Sequence, residues 1–402
     1  MSFTAQAGVR ATYMRGGTSK GVFFDAKDLP PALLKDREAL DAFMLRVAGS
    51  PDPYGKQIDG MGSGTSSTSK VVIISKSERE GCDVDYLFGA ASIDKNVMDW
   101  SGNCGNLTSA VGPFAIARGM VTPTGDGKQL VRIWQANINK RIDSFVPVAD
   151  GRVVELGDFE LDGVTFPAAE IQLEFLNPGE GDEDAGGAMF PTGNKIDQLD
   201  VPGVGTIACT LINAGNPAIF IDASSIGLNG AEMQAQINDD KEKLRILETI
   251  RAHATVAMGL ATDPEEVTNK RPHTPKIAFV AKPASYTASN GKNVDKDSIQ
   301  ILARIMSMGQ LHHAMTGTGA VAIAVAGAIP GTIVSQLLPG GSARTLRFGH
   351  PSGTLDVGAE AEENQGEWTV TKAIMSRSAR RLMDGEIFVP ASLLPASTAK
   401  QG

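Results

Sequence analysis

The sequence is poor in cysteine, and it has no histidine pair at metal-binding spacing. Its 402 residues include only Cys82, Cys104 and Cys209, which are far apart and form no CxxC pair. This spacing excludes a disulfide framework and a cysteine cage for zinc or an iron–sulfur cluster. No HxxxH or HxH motif is present either, so we expect no metal and no cofactor. Unpaired thiols suit a reducing compartment, which predicts a cytoplasmic protein.

The chain also lacks a basic excess and a long apolar run. Lysine and arginine number 37 against 46 acidic residues, and the net charge of −9 argues against a nucleic-acid partner. The most apolar stretch, residues 320–329, is about half as long as a membrane span and predicts a buried helix. The first ten residues have neither a basic start nor an apolar core, so we expect no signal peptide and no membrane partner.

What the chain does contain is an internal repeat, because three segments of its first half recur in order in the second. RGGTSKGVFFD (15–25) aligns with INAGNPAIFID (212–222), STSKVVI (67–73) with HTPKIAF (273–279), and CGNLTSAV (104–111) with TGTGAVAI (316–323). Lys70 is thereby placed over Lys276, and Cys104 over Thr316. The repeat predicts two similar domains, residues 1–200 and 201–402, and the last strands of the second could pack on the first.

Hydrophobic periodicity agrees with a mixed architecture. Alternation at period two predicts strands over 131–136, 141–148, 152–160 and 169–175, and helical patterns cover 31–48, 107–118, 231–259, 296–310 and 319–329. The acidic, glycine-rich stretch 179–187 predicts a surface loop before the domain boundary. We therefore expect an α+β fold with a mostly antiparallel sheet around a central helix in each domain. The site should lie in the cleft between the two domains.

The segment WSGNCGNLTSAVG (100–112) carries the strongest local sign of a reactive group. Cys104 stands directly before an apolar helix, whose free N–H groups and dipole favour a thiolate. The alternative is an inert buried cysteine. Gly102 and Gly105 argue against that alternative. Neither has a side chain, so the turn leaves room for a ligand to approach Cys104.

The segment GMGSGTSSTSK (60–70) places Lys70 where a polar loop enters an apolar strand. It is not a P-loop, because no Gly-Lys-Ser/Thr ends it. Its hydroxyl and N–H groups could surround a carboxylate, and the apolar residues behind Lys70 favour the neutral amine that a general base requires. A surface lysine on a flexible linker is the alternative.

Other segments predict anion binding. RGGTSKG (15–21) sets Arg15 and Lys20 beside hydroxyl groups, although a plain turn between strands is equally compatible. RPHTPK (271–276), LHHAMTGTG (311–319) and GHPSG (349–353) gather four of the five histidines beside glycine and hydroxyl residues. Adjacent His312 and His313 would point to different faces of a helix, so one or both could be structural.

Taken together, the motifs resemble the 2-methylaconitate cis–trans isomerase (PrpF) family. The resemblance rests on RGGTSKGVFF, SPDPYGKQIDGMG, TSSTSK, DWSGNCGN, VRIWQAN, ELDGVTFPAAE, MFPTGN, RAHA, TPKIAFVA, LHHAM, FGHPSGTL and KAIMSRSAR, and runs from about residue 10 to residue 390. It implies the diaminopimelate-epimerase-like fold of two pseudo-symmetric domains. It also implies conversion of 2-methyl-trans-aconitate to its cis isomer, with aconitate isomers as further substrates, in the methylcitrate route of propionate breakdown.

The resemblance carries residue roles with it. It implies Lys70 and Cys104 as catalytic residues. The substrate-binding residues expected around them are Thr18, Ser19, Lys20, Ser66, Ser67, Asn103, Gly105, Asn106, Arg271, Met315, Thr316, Gly317, Thr318, His350 and Ser352. Epimerases of this fold carry a cysteine in each half, whereas the second turn here holds Thr316. That departure excludes racemisation by two thiols and disfavours a proline or amino-acid racemase.

The implied chemistry needs only proton transfer. Removing a proton from the substrate's CH₂ group gives a dienolate in which the former double bond can turn, and returning the proton completes the isomerisation. The sequence does not show whether Lys70 or Cys104 is the base that takes the proton. Lys276 lacks a thiol beside it, so we expect it to act mainly in binding.

Several alternatives remain beside this function. One is a sister activity of the same fold, a 4-oxalomesaconate tautomerase or an itaconate-type Δ-isomerase. Another is a non-enzymatic accessory protein of an aconitase-like dehydratase. The partners expected are a small tricarboxylate substrate and, in the pathway, an aconitase-like 2-methylcitrate dehydratase, and a homodimer is compatible with the sequence.

Overall fold

The computed structural model describes residues 5–180, 188–365 and 367–395. The surface loop predicted at 179–187 therefore lies, from residue 181 onward, outside the described residues. The division of the chain at residue 200 stays a prediction.

The strands and helices of these residues follow one another in a mixed order. The strands are β1 (Gln6–Gly16), β2 (Ser19–Asp25), β3 (Lys70–Lys76), β4 (Val84–Ala91), β5 (Met98–Asp99), β6 (Gly127–Gln135), β7 (Lys140–Ala149), β8 (Arg152–Val153), β9 (Ile171–Leu176), β10 (Asp197–Val201), β11 (Gly205–Ala214), β12 (Asn216–Asp222), β13 (Lys276–Ala281), β14 (Tyr286–Thr287), β15 (Asn293–Val294), β16 (Ile301–Ser307), β17 (Gln310–Leu311), β18 (Thr345–His350), β19 (Gly353–Asn364), β20 (Glu367–Arg377) and β21 (Ala379–Pro390). The helices are α1 (Pro31–Lys35), α2 (Arg37–Ala48), α3 (Gly105–Ala117), α4 (Gln234–Asn238), α5 (Lys241–Ala257), α6 (Pro264–Lys270), α7 (Gly317–Ala328) and α8 (Ile333–Leu337).

Strand pairing repeats the same pattern in the two halves. In the first half the ladder runs β1–β2 antiparallel, β2–β3 parallel, β3–β4 antiparallel, β4–β6 parallel, β6–β7 antiparallel and β7–β9 antiparallel. The second half gives the same series of directions through β11, β12, β13, β16, β18, β19 and β20. The predicted α+β fold with two pseudo-symmetric, mostly antiparallel halves is confirmed.

Two ladders join the halves. Strand β9 pairs antiparallel with β20, and β21 near the C-terminus pairs antiparallel with β1 along its whole length. In the second half the position of β21 is taken by β10, which pairs with β11. The C-terminal strands are therefore hydrogen-bonded to both halves of the molecule.

One fully buried helix lies inside each half. Helix α3 packs on β1, β2, β6, β7, β9 and β21, and α7 packs on β11, β12, β18, β19 and β20. Every residue of α7 is buried, and only Ala117 of α3 is not. Helices that are apolar on all sides have no solvent-facing side, so burial at the centre of a sheet is the arrangement that stabilises them.

The helix predicted over 296–310 is wrong. A short 3-10 turn at Lys296–Ser298 is followed by strand β16, and all seven residues of that strand are buried. A continuous apolar run gives the same signal for a central strand as for a buried helix, because both faces of such a strand are covered.

Other predicted elements are correct in place but different in extent. The strand expected over 152–160 is limited to β8, after which Phe159 forms an isolated bridge with Ala168. The helical stretches 31–48 and 231–259 are each interrupted by an aspartate, Asp36 or Asp240, whose side chain caps the following helix. In the described part of the chain, no helix is long and apolar enough to span a membrane.

Candidate active site

Lys70 and Cys104 meet between β3 and α3. Lys70 is the first residue of β3, and Cys104 is the residue immediately before α3. The Lys70 Nζ donates a hydrogen bond to Cys104 Sγ at 3.3 Å and another to Ser19 Oγ at 2.9 Å. Both side chains are nearly inaccessible, with 7% of Lys70 and 6% of Cys104 exposed. An amine and a thiol thus form a buried pair, which is the constellation that proton transfer requires.

The two central helices meet end to end beside this pair. A Cβ atom placed on Gly317 would lie 2.3 Å from the carbonyl carbon of Gly105, and one on Gly105 would lie 2.7 Å from that of Gly317. Thr316 begins α7 by accepting a hydrogen bond from the Gly319 N–H at 3.1 Å. Two helix N-termini therefore point at one place, and their N–H groups and dipoles favour an anion there.

Asn103 links the halves and keeps one polar group free. Its N–H and carbonyl oxygen both bond the carboxamide of Asn216, at 2.9 and 3.0 Å, and Asn216 also donates to Thr318 Oγ1 at 3.3 Å. The Asn103 side-chain Nδ2 is buried without a hydrogen-bond partner within the described residues. A buried donor left unpaired is costly, so a ligand acceptor next to Cys104 would satisfy it.

Asn106, in the first turn of α3, joins three segments of the site. Its Nδ2 donates to Thr18 Oγ1 at 3.0 Å and to the Met315 carbonyl oxygen at 3.1 Å. Its Oδ1 accepts from the Arg377 Nε at 3.0 Å. Burial lowers the pKa of Arg377 to about 10, so this guanidinium is still a cation at neutral pH. It adds positive charge close to the turn around Gly17.

Ser67 connects the loop before β3 to the two adjacent histidines. The Ala314 N–H donates to His312 Nδ1 at 3.0 Å, so His312 carries its proton on Nε2 and donates it to Ser67 Oγ at 3.0 Å. The Ser67 hydroxyl is then free to donate to His313 Nδ1 at 3.2 Å. Burial lowers the pKa of both imidazoles, so they are neutral hydrogen-bonding groups at pH 7.

His350 and Ser352 support the same region from β18 and the turn after it. Ser352 Oγ donates to the His313 carbonyl oxygen at 2.6 Å, and the Ser352 N–H donates to His350 Nδ1 at 3.2 Å. Burial and, next, the charges of Arg304 and Arg377 lower the pKa of His350 to about 3. His350 is therefore neutral and serves as an acceptor that fixes the turn.

A cavity of about 450 Å³ leads from the surface to these groups. Its lining includes Thr18, Ser19, Ser67 and His313, together with the cationic side chains of Arg15, Lys20 and Arg380. Its outer part carries the exposed apolar side chains of Leu156 and Phe166. Lys70 and Cys104 do not line this cavity themselves, but Ser19, which accepts from Lys70, does. A larger cleft of about 750 Å³ is lined by residues such as Asp162 and Arg347 and by none of these three.

Two predicted binding residues lie apart from the others. Ser66 lines a different cleft, of about 660 Å³, together with Asp52 and Lys241. Arg271 ends α6 and donates through Nε to the Thr274 carbonyl oxygen at 3.0 Å. Neither residue bonds any group of the Lys70–Cys104 pair, and their binding roles stay predictions.

Three residues of the site were missed in the sequence: Asn216, His273 and Arg377. Asn216 is the repeat counterpart of Ser19, so the alignment of 15–25 with 212–222 could have identified it. His273 lies in RPHTPK (271–276), a segment predicted to bind an anion, but it was not among the residues expected at the site. Arg377 lies in a motif that contributed to the family resemblance, and nothing local to that motif indicates its contact with Asn106.

A duplicated fold with a buried amine and thiol beside the meeting ends of its two central helices defines a class, the racemases and isomerases of the diaminopimelate-epimerase-like fold. A hydroxyproline epimerase from Agrobacterium vitis shares the fold alone, with a TM-score of 0.55 at 12% identity over 97% of this chain and 94% of that one. Within this class, the chain belongs to the PrpF family, whose model, described as PrpF protein, matches residues 6–390. The family resemblance predicted from the motifs is confirmed.

Two relatives are much more similar. The 2-methyl-aconitate isomerase of Shewanella oneidensis is 59% identical over 391 residues, which cover 96% of this chain and 98% of that protein. The crystal structure of a methylitaconate-delta-isomerase superposes with a TM-score of 0.74 at 35% identity, covering 98% of each chain.

Proposed function

We propose that this protein is an isomerase that converts 2-methyl-trans-aconitate to 2-methyl-cis-aconitate by removing and returning a proton. The observation that carries the proposal is the buried Lys70–Cys104 pair at the meeting helix N-termini, in a chain 59% identical to a 2-methyl-aconitate isomerase. The same name supports a role in the methylcitrate route of propionate breakdown.

The reaction starts with loss of a proton from the substrate's CH₂ group. Lys70 or Cys104 takes this proton, and the electron pair spreads into the conjugated alkene and carboxylate as a dienolate. The former double bond then has single-bond character and can rotate. Return of the proton to the same carbon restores the alkene as the other isomer, and a positioned acid or base contributes about 10²–10⁴-fold to such a step.

The surroundings of the pair suit a tricarboxylate. The N–H groups of α3 and α7 and the free Asn103 Nδ2 are donors that would stabilise carboxylate oxygens as charge moves onto them. Arg15, Lys20 and Arg380 attract the anion at the cavity. A chain of net charge −9 that binds an anion has to concentrate its positive groups locally, and these residues do so.

An assay of the purified protein with separate substrates tests the proposal. We expect ultraviolet absorbance to change fastest with 2-methyl-trans-aconitate and more slowly with trans-aconitate. Faster turnover of methylitaconate would instead favour the Δ-isomerase alternative, which the structural similarity to a methylitaconate-delta-isomerase supports. Turnover of 4-oxalomesaconate is measured in the same way and would favour the tautomerase alternative if it were the fastest. If none of these acids is turned over, the accessory-protein alternative is favoured.

We further propose that the reaction uses no metal, because acid–base chemistry suffices for it. Exhaustive dialysis against a chelator should leave kcat unchanged. A loss of activity that a divalent ion restores would contradict this expectation.

The cellular setting belongs to the same proposal. Free thiols support a cytoplasmic location. The substrate's chemistry calls for an aconitase-like dehydratase, acting on 2-methylcitrate, that supplies it. The homodimer and the absence of nucleic-acid and membrane partners stay predictions from the sequence.

A further inference from the structure

Lys276 occupies in the second half the position that Lys70 has in the first. Lys70 is the first residue of β3, which pairs parallel with β2. Lys276 is the first residue of β13, which pairs parallel with β12 in the same way. Each is buried, and the two helices that follow the equivalent turns meet at Gly105 and Gly317. The local pseudo-symmetry therefore relates the two amines across the meeting helix N-termini.

Hydrogen bonds with His273 use both N–H groups of a neutral Lys276 amine and leave its lone pair free. The His273 Nε2 donates to the Asn103 carbonyl oxygen at 3.3 Å, so its Nδ1 is an acceptor. The Lys276 Nζ donates to the His273 carbonyl oxygen at 3.0 Å and lies 3.5 Å from that Nδ1. A neutral amine has two N–H groups and one lone pair. Both N–H groups are used by His273, which leaves the lone pair to accept a proton.

The charged groups around Lys276 favour this neutral amine. Burial and, next, the charge of Lys70 lower its pKa to about 7. Asp99 and Cys104 act in the opposite direction, and Arg251 again lowers the value. His273, whose own pKa is lowered well below its usual value by burial and then by Lys276, adds no charge. The charges of Lys70 and Cys104 both act on Lys276, which indicates that the three groups belong to one centre.

We propose that Lys276 is a second acid–base residue of the isomerase, which exchanges a proton with the substrate from the side opposite to Lys70. The inference rests on the proposed function. It replaces the binding role that the sequence predicted for Lys276.

Rotation of the dienolate gives a physical reason for two such groups. When the former double bond turns, one end of the molecule swings about the other, so the carbon that lost its proton presents a different position or face. A single base fixed in a buried site serves both geometries poorly, because proton transfer needs hydrogen-bond distance in each. Amines contributed by the two halves would serve one isomer each. The amine that removes the proton ends protonated and the amine that returns a proton ends neutral, so proton exchange with water restores both before the next turnover.

An experiment that measures proton exchange separately from isomerisation tests this arrangement. The variants Lys276→Met and Lys70→Met are incubated in D₂O with each purified isomer, and deuterium at the CH₂ carbon of the recovered starting isomer is measured by NMR. Both variants should lose at least about 10²-fold in conversion, with KM changed only a few-fold. Each should still exchange deuterium into one isomer, and the two variants should do so with opposite isomers. Lys282→Met, at an exposed position directly after β13, is the matched control and should behave as the unmodified protein.

The pH profile supplies a second readout. In the unmodified protein, conversion of the isomer from which Lys276 removes the proton should fall below a pH of about 7, as the Lys276 amine becomes protonated. This is the isomer into which Lys276→Met no longer exchanges deuterium, and its residual conversion by Lys276→Met should lack this decrease. A raised KM with unchanged kcat in Lys276→Met, or a parallel loss of exchange with both isomers, would overturn the proposal. Absence of turnover by the unmodified protein would instead contradict the proposed function itself.

Discussion

The three cysteines of the chain differ sharply in their surroundings. Cys104 stands directly before α3 and accepts a hydrogen bond from Lys70, whereas Cys209 is fully buried within β11. Burial raises the pKa of Cys209 to about 12 and also raises that of Cys82, which is partly exposed. The thiolate is the reactive form, so these surroundings disfavour reaction at both residues.

A labelling experiment follows from this difference. Mild alkylation and peptide mapping should find Cys104 modified faster than Cys82 or Cys209, and trans-aconitate should slow its modification at least several-fold. The label on Cys82 should be insensitive to the ligand, and Cys104→Ser should abolish the protected signal. Equal labelling of all three thiols without protection would contradict the assignment of the site.

Single residues also show what could be predicted from the sequence. Lys70 and Cys104 were each predicted as reactive because a polar loop before a strand and a turn before a helix have local patterns, and the family resemblance implied that they act in one centre. Arg377 and His273 gave no such pattern, since their roles depend on Asn106 and Asn103, which are 271 and 170 residues away along the chain. Contacts of this kind are set by the way β20 and β13 pair, which no local pattern specifies.

At the scale of elements, the meeting of α3 and α7 depends on two glycines. A Cβ atom on Gly317 would lie 2.3 Å from the Gly105 carbonyl carbon and 2.4 Å from the Asn106 nitrogen. Backbone atoms cannot move aside as a flexible side chain can. A methyl group at either position therefore has to push the helix ends apart, and Cys104 would move with α3.

We expect Gly317→Ala to lower the free energy of unfolding by about 1–3 kcal/mol, as overpacking of a core commonly does, and to reduce kcat. Urea denaturation followed by circular dichroism measures the first effect, and the absorbance assay measures the second. Gly125→Ala is the control, because a Cβ atom there would meet nothing within 4 Å. Unchanged stability and kcat in Gly317→Ala would show that the two helix ends do not meet as described.

Elements also differ in how well the sequence predicted them. The two central helices were predicted because each starts after a glycine turn and stays apolar for three turns. Strand β16 was mistaken for a helix because ILARIMS is mostly apolar and is buried on both of its faces, Arg304 included. The irregular stretch after β8 is fixed by tertiary contacts, such as the Asp162 carboxylate that accepts from the Thr354 N–H at 2.7 Å.

For the whole molecule, the repeat produces a symmetric frame around an asymmetric centre. Both halves supply a lysine at the start of a strand and a residue at a helix N-terminus, but the residue is a thiol in one half and a hydroxyl in the other. Thr316 uses its hydroxyl to cap α7. The frame thus retains two amines and one thiol, which suits isomerisation through a dienolate better than racemisation by a matched pair of thiols.

The buried histidines make the stability of the whole molecule depend on pH. Burial keeps His273, His312 and His350 neutral in the folded state, and the pKa of His350 is lowered to about 3. In the unfolded chain a histidine has a pKa of about 6.5. The unfolded state therefore binds protons between these values that the folded state does not, and stability is lost as the pH falls below about 6.5.

We expect the free energy of unfolding, measured in urea at pH 7, 6 and 5, to decrease at each step. His350→Asn isolates one contribution, because the asparagine carboxamide keeps an acceptor for the Ser352 N–H that now bonds His350 Nδ1. With a folded-state pKa of about 3, His350 alone accounts for about 2 kcal/mol of the loss between pH 7 and pH 5. The variant should start from a different stability at pH 7 but lose about that much less on acidification. An identical loss in both proteins would mean that His350 is protonated in the folded state, contrary to its burial between β18 and the turn that follows.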